Sequence, residues 1–252
     1  MSDPAAPQPV AIITAAGKGI GAACARELAR RGYALVLMSN SGGAVRVAEE
    51  LGCEALTGSV LHEPDLEALV ARAMARHGRI DAVINNTISP RWGTTPQTSP
   101  YELTPDGHLL DIPDAAWHEM LDGLLLTAVR MARLVTPLMQ KAGGGAILNV
   151  SGMGAAVPAV AYPFGATMRR ALTGFTKLYA ARYGRDGIRM NNILPGFIDN
   201  NDWSPALMSN VPLTRPGTLE EVAKAAAFLV GGDSSYVTGQ DILVDGGAVR
   251  GL

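Results

Sequence analysis

The stretch Val10-Ala-Ile-Ile-Thr14-Ala-Ala-Gly17-Lys18-Gly19-Ile20-Gly21 sets the architecture. It opens as a short apolar run and closes as a glycine cluster leading straight into a helical pattern from Ile20 to Arg31. Glycines at that point let the backbone turn tightly and approach a pyrophosphate. The helix behind them offers unpaired N–H groups and a partial positive charge. A glycine cluster by itself is often only a turn. Set between a first strand and a first helix, it points to a dinucleotide.

The same alternation continues along the chain. Strand-like runs are expected at Ala34 to Met38, Glu54 to Val60, Asp81 to Asn85, Gly145 to Ser151, Arg189 to Leu194 and Ile242 to Asp245. Helical patterns are expected over 44–51, Pro64 to His77, Asp114 to Lys141, Pro163 to Tyr183 and Leu219 to Leu229. Pro163 does little harm at a helix start, where its missing N–H has no partner to lose. Strands alternating with helices imply right-handed crossovers and a parallel sheet covered on both faces. No internal repeat or interdomain linker interrupts the pattern. The expectation is an α/β fold: one single-domain doubly wound parallel β-sheet, a Rossmann domain over residues 1–252.

Composition narrows the partners. The formal net charge is −2, so nothing marks a nucleic-acid footprint or a polybasic membrane surface. Charged residues are 17% and hydrophobic ones 48%, enough for a large core and further subunit interfaces. Two cysteines, Cys24 and Cys53, build no disulfide framework, and no Cys/His cluster has zinc spacing. Residues Met1 to Val10 lack the pattern of a secretory leader, and no apolar run reaches the ~20 residues a bilayer requires. A reducing cytoplasm, a small-molecule substrate and no membrane or nucleic acid are the expectation.

One segment breaks the short-loop rule. Residues 87–116 carry Pro90, Pro96, Pro100, Pro105 and Pro113 and far exceed an ordinary βα loop of ~2–6 residues. A surface insertion is the bland reading; a lid over the crevice at the carboxyl ends of the strands is the functional one.

These landmarks together resemble the short-chain dehydrogenase/reductase family. The glycine loop looks like the family's T-G-x-x-x-G-x-G, with Ala15 where the first glycine usually stands. Asn85-Asn86 resembles its N-N-A-G, with Thr87-Ile88 replacing the last two residues. Pro195-Gly196-Phe197-Ile198 matches the segment lining the nicotinamide, and Val237 to Gly247 the C-terminal strand. The resemblance implies NAD(P)(H), held by Gly17, Lys18, Gly19, Ile20, Gly21, Asn86, Pro195, Gly196 and Ile198. Where NAD-specific members end the second strand with Asp, this chain has Met38-Ser39-Asn40-Ser41. With Lys18 nearby, Ser39 and Asn40 as donors favour the extra phosphate of NADP(H) over NAD(H). Lys18 as a merely solvated lysine is the alternative. Ser59 and Val60 stand where the family usually has Asp-Val beside the adenine.

In the family a Tyr protonates the substrate oxygen, a Lys four residues later lowers its pKa, a Ser thirteen residues earlier binds that oxygen, and an Asn supports a proton relay. Gly145 to Gly152 resembles the family's G-x-I-V-N-I-S-S strand and puts the Ser position on Gly152. Ala171 to Lys177 resembles the segment after the Lys and puts that position on Arg169. One ungapped alignment satisfies both and assigns Gly165 to Tyr and Leu124 to Asn. A rival alignment from Ser151 uses Phe164 and Met168 and needs an inserted residue.

Arg169, Tyr162 and Ser151 are what remain as catalytic candidates. Arg169 keeps a cation beside the ribose, but a guanidinium does not shuttle protons. Tyr162 and Ser151 carry hydroxyls near the altered positions, though a packed loop aromatic and a strand-end serine are equally natural. Arg91 and His108 sit in the insertion. The expected function is an NADP(H)-dependent oxidoreductase acting on C=O, C=N or conjugated C=C with a non-standard proton donor. A catalytically silent nucleotide-binding subunit is the alternative, and ordinary carbonyl reduction by a displaced Tyr162 a third reading. The family commonly forms tetramers, so a homo-oligomer, tetramer or dimer, is implied.

Overall fold

Successive side chains of a strand point to opposite faces, and here both faces are apolar. In β1 (Val10–Ile13), Ala11 and Ile13 pack into one layer and Ile12 into the other. A computed structural model describes residues 7–86, 109–159 and 163–251 of the chain. Its other strands are β2 (Ala34–Ser39), β3 (Glu54–Thr57), β4 (Ala82–Asn85), β5 (Gly145–Val150), β6 (Ile188–Pro195) and β7 (Asp241–Val244). They form one sheet of order β3-β2-β1-β4-β5-β6-β7 with every pair parallel. The order reverses between β1 and β4, and such a reversal opens a crevice at the carboxyl ends of those strands.

The helices are α1 (Gly19–Arg30), α2 (Gly43–Leu51), α3 (Glu63–His77), α4 (Asp114–Leu121), α5 (Thr127–Ala142), α6 (Pro163–Tyr183), α7 (Pro205–Met208) and α8 (Leu219–Val230). Helices α1, α2 and α8 cover one face of the sheet; α3, α5 and α6 cover the other. This is the doubly wound α/β fold that the sequence implies.

Three local differences matter for the site. The long helix expected from Asp114 is broken by a π-helical turn, Asp122–Leu126, where Thr127 Oγ1 donates to the Gly123 carbonyl at 3.0 Å. Asp122 pairs with Arg130 across that turn at 2.6 Å. Strand β3 stops at Thr57, so Ser59 and Val60 lie in the turn leading to α3. Helix α7 is unforeseen, although Ser204 before Pro205 is a start signal; Ser204 Oγ accepts from Leu207 N at 3.2 Å. Residues 87–108 of the proline-rich insertion lie outside the described residues. Ile112 beyond them packs with Ala116, Met120, Leu124 and Phe164.

A row of buried polar side chains crosses the sheet beneath α6. Asn85, Asn149, Asn192 and Asp241 are in-register neighbours on β4, β5, β6 and β7. Asn85 Nδ2 donates to Asn149 Oδ1 at 2.9 Å, Asn149 Nδ2 to Asn192 Oδ1 at 2.9 Å, and Asn192 Nδ2 to Asp241 Oδ1 at 2.7 Å. Helix α6 is fastened to this row twice. Thr173 Oγ1 donates to Asp241 Oδ2 at 2.6 Å, and Thr176 Oγ1 to Asn192 Oδ1 at 2.9 Å. Arg169 lies one turn before Thr173 on the same helix face.

Candidate active site

The glycine loop is shaped by close approach. A Cβ on Gly21 would stand 2.4 Å from the Ala15 carbonyl oxygen and 2.6 Å from Asn86 Nδ2. One on Gly17 would stand 2.9 Å from Gly43 Cα, so the loop rests directly on the start of α2. Gly19 has φ +55°, in the left-handed region that glycine occupies without penalty. Lys18 is the exposed, extended residue before α1; no side chain caps that helix and no acid stands in its first turn. Its N–H groups and positive end are therefore open to an anion. Ile20 is half-buried and packs against the core. Loop, helix end and lysine fit a dinucleotide pyrophosphate.

Asn86, read from sequence as a cofactor contact, fastens the loop. Its Nδ2 donates to the Ala15 carbonyl at 3.3 Å and its backbone N–H to Thr14 Oγ1 at 3.1 Å. Thr14 was not singled out by the sequence. Its hydroxyl is the hinge between β1 and β4.

At the end of β2 the structure redistributes the expected donors. Ser39 is buried; its hydroxyl donates to the Ser41 carbonyl at 2.6 Å and accepts from Ala44 N at 2.9 Å. The Ser39 side chain is thus committed to shaping the turn into α2 and is not a free phosphate donor. Asn40 and Ser41 are exposed beside it. Ser59 N donates to Asp65 Oδ2 at 2.8 Å, and Ser59 Oγ accepts from Leu61 N at 3.2 Å. Val60 is half-buried against the core. The bond from Ser59 N, then one from His62, holds the Asp65 carboxyl below its usual range.

After β6, a Cβ on Gly196 would stand 2.7 Å from Asp245 Cα, which explains the glycine. Ile198 is buried, and its carbonyl accepts from Trp203 Nε1 at 2.8 Å. The following turn reaches the glycine loop: Asn200 Nδ2 is 3.6 Å from where a Cβ on Gly19 would lie. Nothing in the sequence between Asp199 and Arg215 announces that approach.

Of the positions aligned from the sequence, Gly152 and Leu124 lie beside Arg169. This arginine is only 7% exposed, and a Cβ on Gly152 would lie 3.1 Å from its Nη1 and 3.2 Å from its Cζ. Glycine at 152 is what lets the guanidinium lie against the end of β5. Burial pushes the Arg169 guanidinium down to about 10, below its ordinary range, yet it stays protonated at neutral pH. Among the described residues, Nη1 and the buried Ser151 Oγ have no hydrogen-bond partner. A cavity of about 10 Å³ adjoins the guanidinium, walled by Asn85, Leu124, Ala128, Asn149, Val150 and Leu172. The π-helical turn carries Leu124 to that wall.

The rival alignment fails on packing. Phe164 is buried edge-on against Trp117, ring centroids 4.8 Å apart, and Met168 packs on the same cluster. Gly165 lies half-buried in the first turn of α6. Tyr162, Arg91 and His108 lie outside the described residues. Among the described residues no cluster of His, Cys, Asp or Glu could hold a metal, and no helix is long and apolar enough to cross a membrane.

Residues 14–249 match a family model described as enoyl-(acyl carrier protein) reductase. The chain is 34% identical to dehydrogenase/reductase SDR family member 4 of Bos taurus, across 96% of this chain and 88% of that protein. It is 30% identical to the 3-oxoacyl-[acyl-carrier-protein] reductase of Vibrio harveyi, across 94% and 96% of the two. Among solved structures, it is similar to a 7α-hydroxysteroid dehydrogenase complexed with NADH and 7-oxo glycochenodeoxycholic acid. That match has a TM-score of 0.83 at 29% identity and covers 98% of this chain and 96% of the other. An acetoin dehydrogenase from Salmonella typhimurium gives a TM-score of 0.82 at 27% identity, covering 97% and 99%.

Proposed function

The chain belongs to the short-chain dehydrogenase/reductase family and is an oxidoreductase of that type; on this basis we propose that it uses NADP(H) to reduce a small organic substrate whose reacting group gathers negative charge on oxygen. A conjugated C=C–C=O is the first such group and a simple C=O the second. The bound nicotinamide supplies the hydride. The glycine loop, the open start of α1 and Lys18 would hold the pyrophosphate, with the carboxylate-free corner at Asn40 and Ser41 admitting a 2′-phosphate.

The observation that carries this reading is the buried, unpaired guanidinium of Arg169. In a low-dielectric site a fixed positive charge stabilises a developing enolate or alkoxide. The same charge repels a protonated imine, so C=N reduction is the bond type this site favours least. Arg169 serves as the fixed counter-charge to the substrate oxygen, and the proton is assigned to a hydroxyl. Ser151 Oγ is free to donate to the substrate oxygen, and Tyr162, seven residues before Arg169 and next to the first residue of α6, is the candidate acid. The family model and the bacterial relative, an enoyl and a 3-oxoacyl reductase, support these two bond types. We further propose a homo-oligomer, with a second copy covering exposed Phe228, Tyr236 and Leu243 near the β7 edge.

The test is nucleotide binding followed by turnover. Fluorescence titration should show NADPH bound more tightly than NADH. Stopped-flow oxidation of bound NADPH should then be fast with enones or ketones and absent with cyclic imines. Tight binding without turnover on any class would replace this reading with a silent nucleotide-binding subunit.

A further inference from the structure

We propose that, while no substrate is bound, the cavity beneath α6 is a binding site for a single monoatomic anion, a halide, which Arg169 holds and which the substrate oxygen displaces. The inference goes beyond the reading above, since it needs neither nucleotide nor turnover. Among the described residues the buried Arg169 forms no ion pair, and its Nη1 has no hydrogen-bond partner. Burial lowers its affinity for the proton, and no carboxylate among the described residues is paired with it to compensate the charge. A buried cation without a counter-charge is costly, and an anion in contact with it gains from the same low dielectric.

Size selects the ligand. A space of about 10 Å³ admits one water-sized body, whereas a free carboxylate or phosphate spreads its charge over three or more heavy atoms. Chemistry then narrows it further. Leu124, Ala128, Val150 and Leu172 present apolar walls, and the Asn85 and Asn149 amides are tied to each other and to Asn192. Such walls offer little to replace a tightly held hydration shell, which favours weakly hydrated bromide and chloride over fluoride. Gly152 is part of the site because a side chain there would displace the guanidinium.

The experiment is thermal unfolding of the full chain without nucleotide, at constant ionic strength, with sodium gluconate replaced stepwise by fluoride, chloride or bromide. The expected result is a saturable rise of about 3–6 °C at ten times the Kd, at least as large for bromide as for chloride and smallest for fluoride. Arg169→Met should abolish it. Leu124→Phe, which fills the cavity and keeps the arginine, should abolish it too, and covers the case in which Arg169→Met does not fold. A bromide-soaked crystal should show anomalous density within hydrogen-bond reach of Arg169 Nη1. Equal melting in all four salts, or a halide shift that survives both variants (an adventitious ion only), overturns the proposal. Neither outcome bears on NADPH binding, which the titration above reads separately.

Discussion

Ala15 has φ +47°, a left-handed conformation that strains any residue with a Cβ by roughly 1–2 kcal/mol. It stands where the family usually places glycine, so the departure noticed in the sequence is a strained backbone position in the fold. Ala15→Gly should stabilise the protein by about 0.5–1 kcal/mol, part of the relief being offset by the freer unfolded chain. Urea unfolding measures it; an unchanged or lower midpoint would show that the strain is not real. Side-chain commitments were harder to read than backbone ones. The glycines at 17, 19 and 21 were legible because tight turns and close approach demand glycine whatever surrounds them. Ser39 was misread because its hydroxyl serves the Ser41 carbonyl and the Ala44 N–H, a local turn that a residue list does not reveal.

Helix α8 begins with a full capping box. Thr218 Oγ1 accepts from Glu221 N at 3.1 Å, and Glu221 Oε2 accepts from Thr218 N at 2.8 Å. Arg215 adds a two-pronged contact to Glu221 at 2.7 and 2.9 Å. Thr218→Ala should cost about 1 kcal/mol. The Arg215 guanidinium, then the Thr218 N–H, hold the Glu221 carboxyl down at about 2. A lowered folded value means the contribution is complete above the unfolded pKa of ~4.3 and is lost as pH falls toward 2. Denaturant midpoints across that window should therefore fall less steeply in Glu221→Gln than in the parent; parallel curves would contradict the assignment. Helix α8 itself was legible from periodicity. The π-helical turn was not, because Asp122 to Leu126 keeps the apolar spacing of an unbroken helix.

The sheet is bound laterally by more than its backbone ladder. The row Asn85–Asn149–Asn192–Asp241 links four parallel strands and, through Thr173 and Thr176, fixes the helix that carries Arg169. Its middle member is irreplaceable by an apolar residue, since Asn85 Nδ2 and Asn192 Oδ1 would both lose a buried partner. Asn149→Leu should destabilise the protein by roughly 2–5 kcal/mol, read as a lower urea midpoint; a neutral substitution would show that water replaces the amide. Strand order and the site of the crevice were legible from alternation and the glycine loop. This row was not, because only parallel pairing brings Asn85, Asn149 and Asn192 abreast of one another and of Asp241. The two glycines that touch, 17 and 43, leave no side chain between the nucleotide loop and the second helix to absorb a displacement. Loop and helix therefore meet backbone to backbone, and whatever settles on the loop bears directly on the start of the second helix.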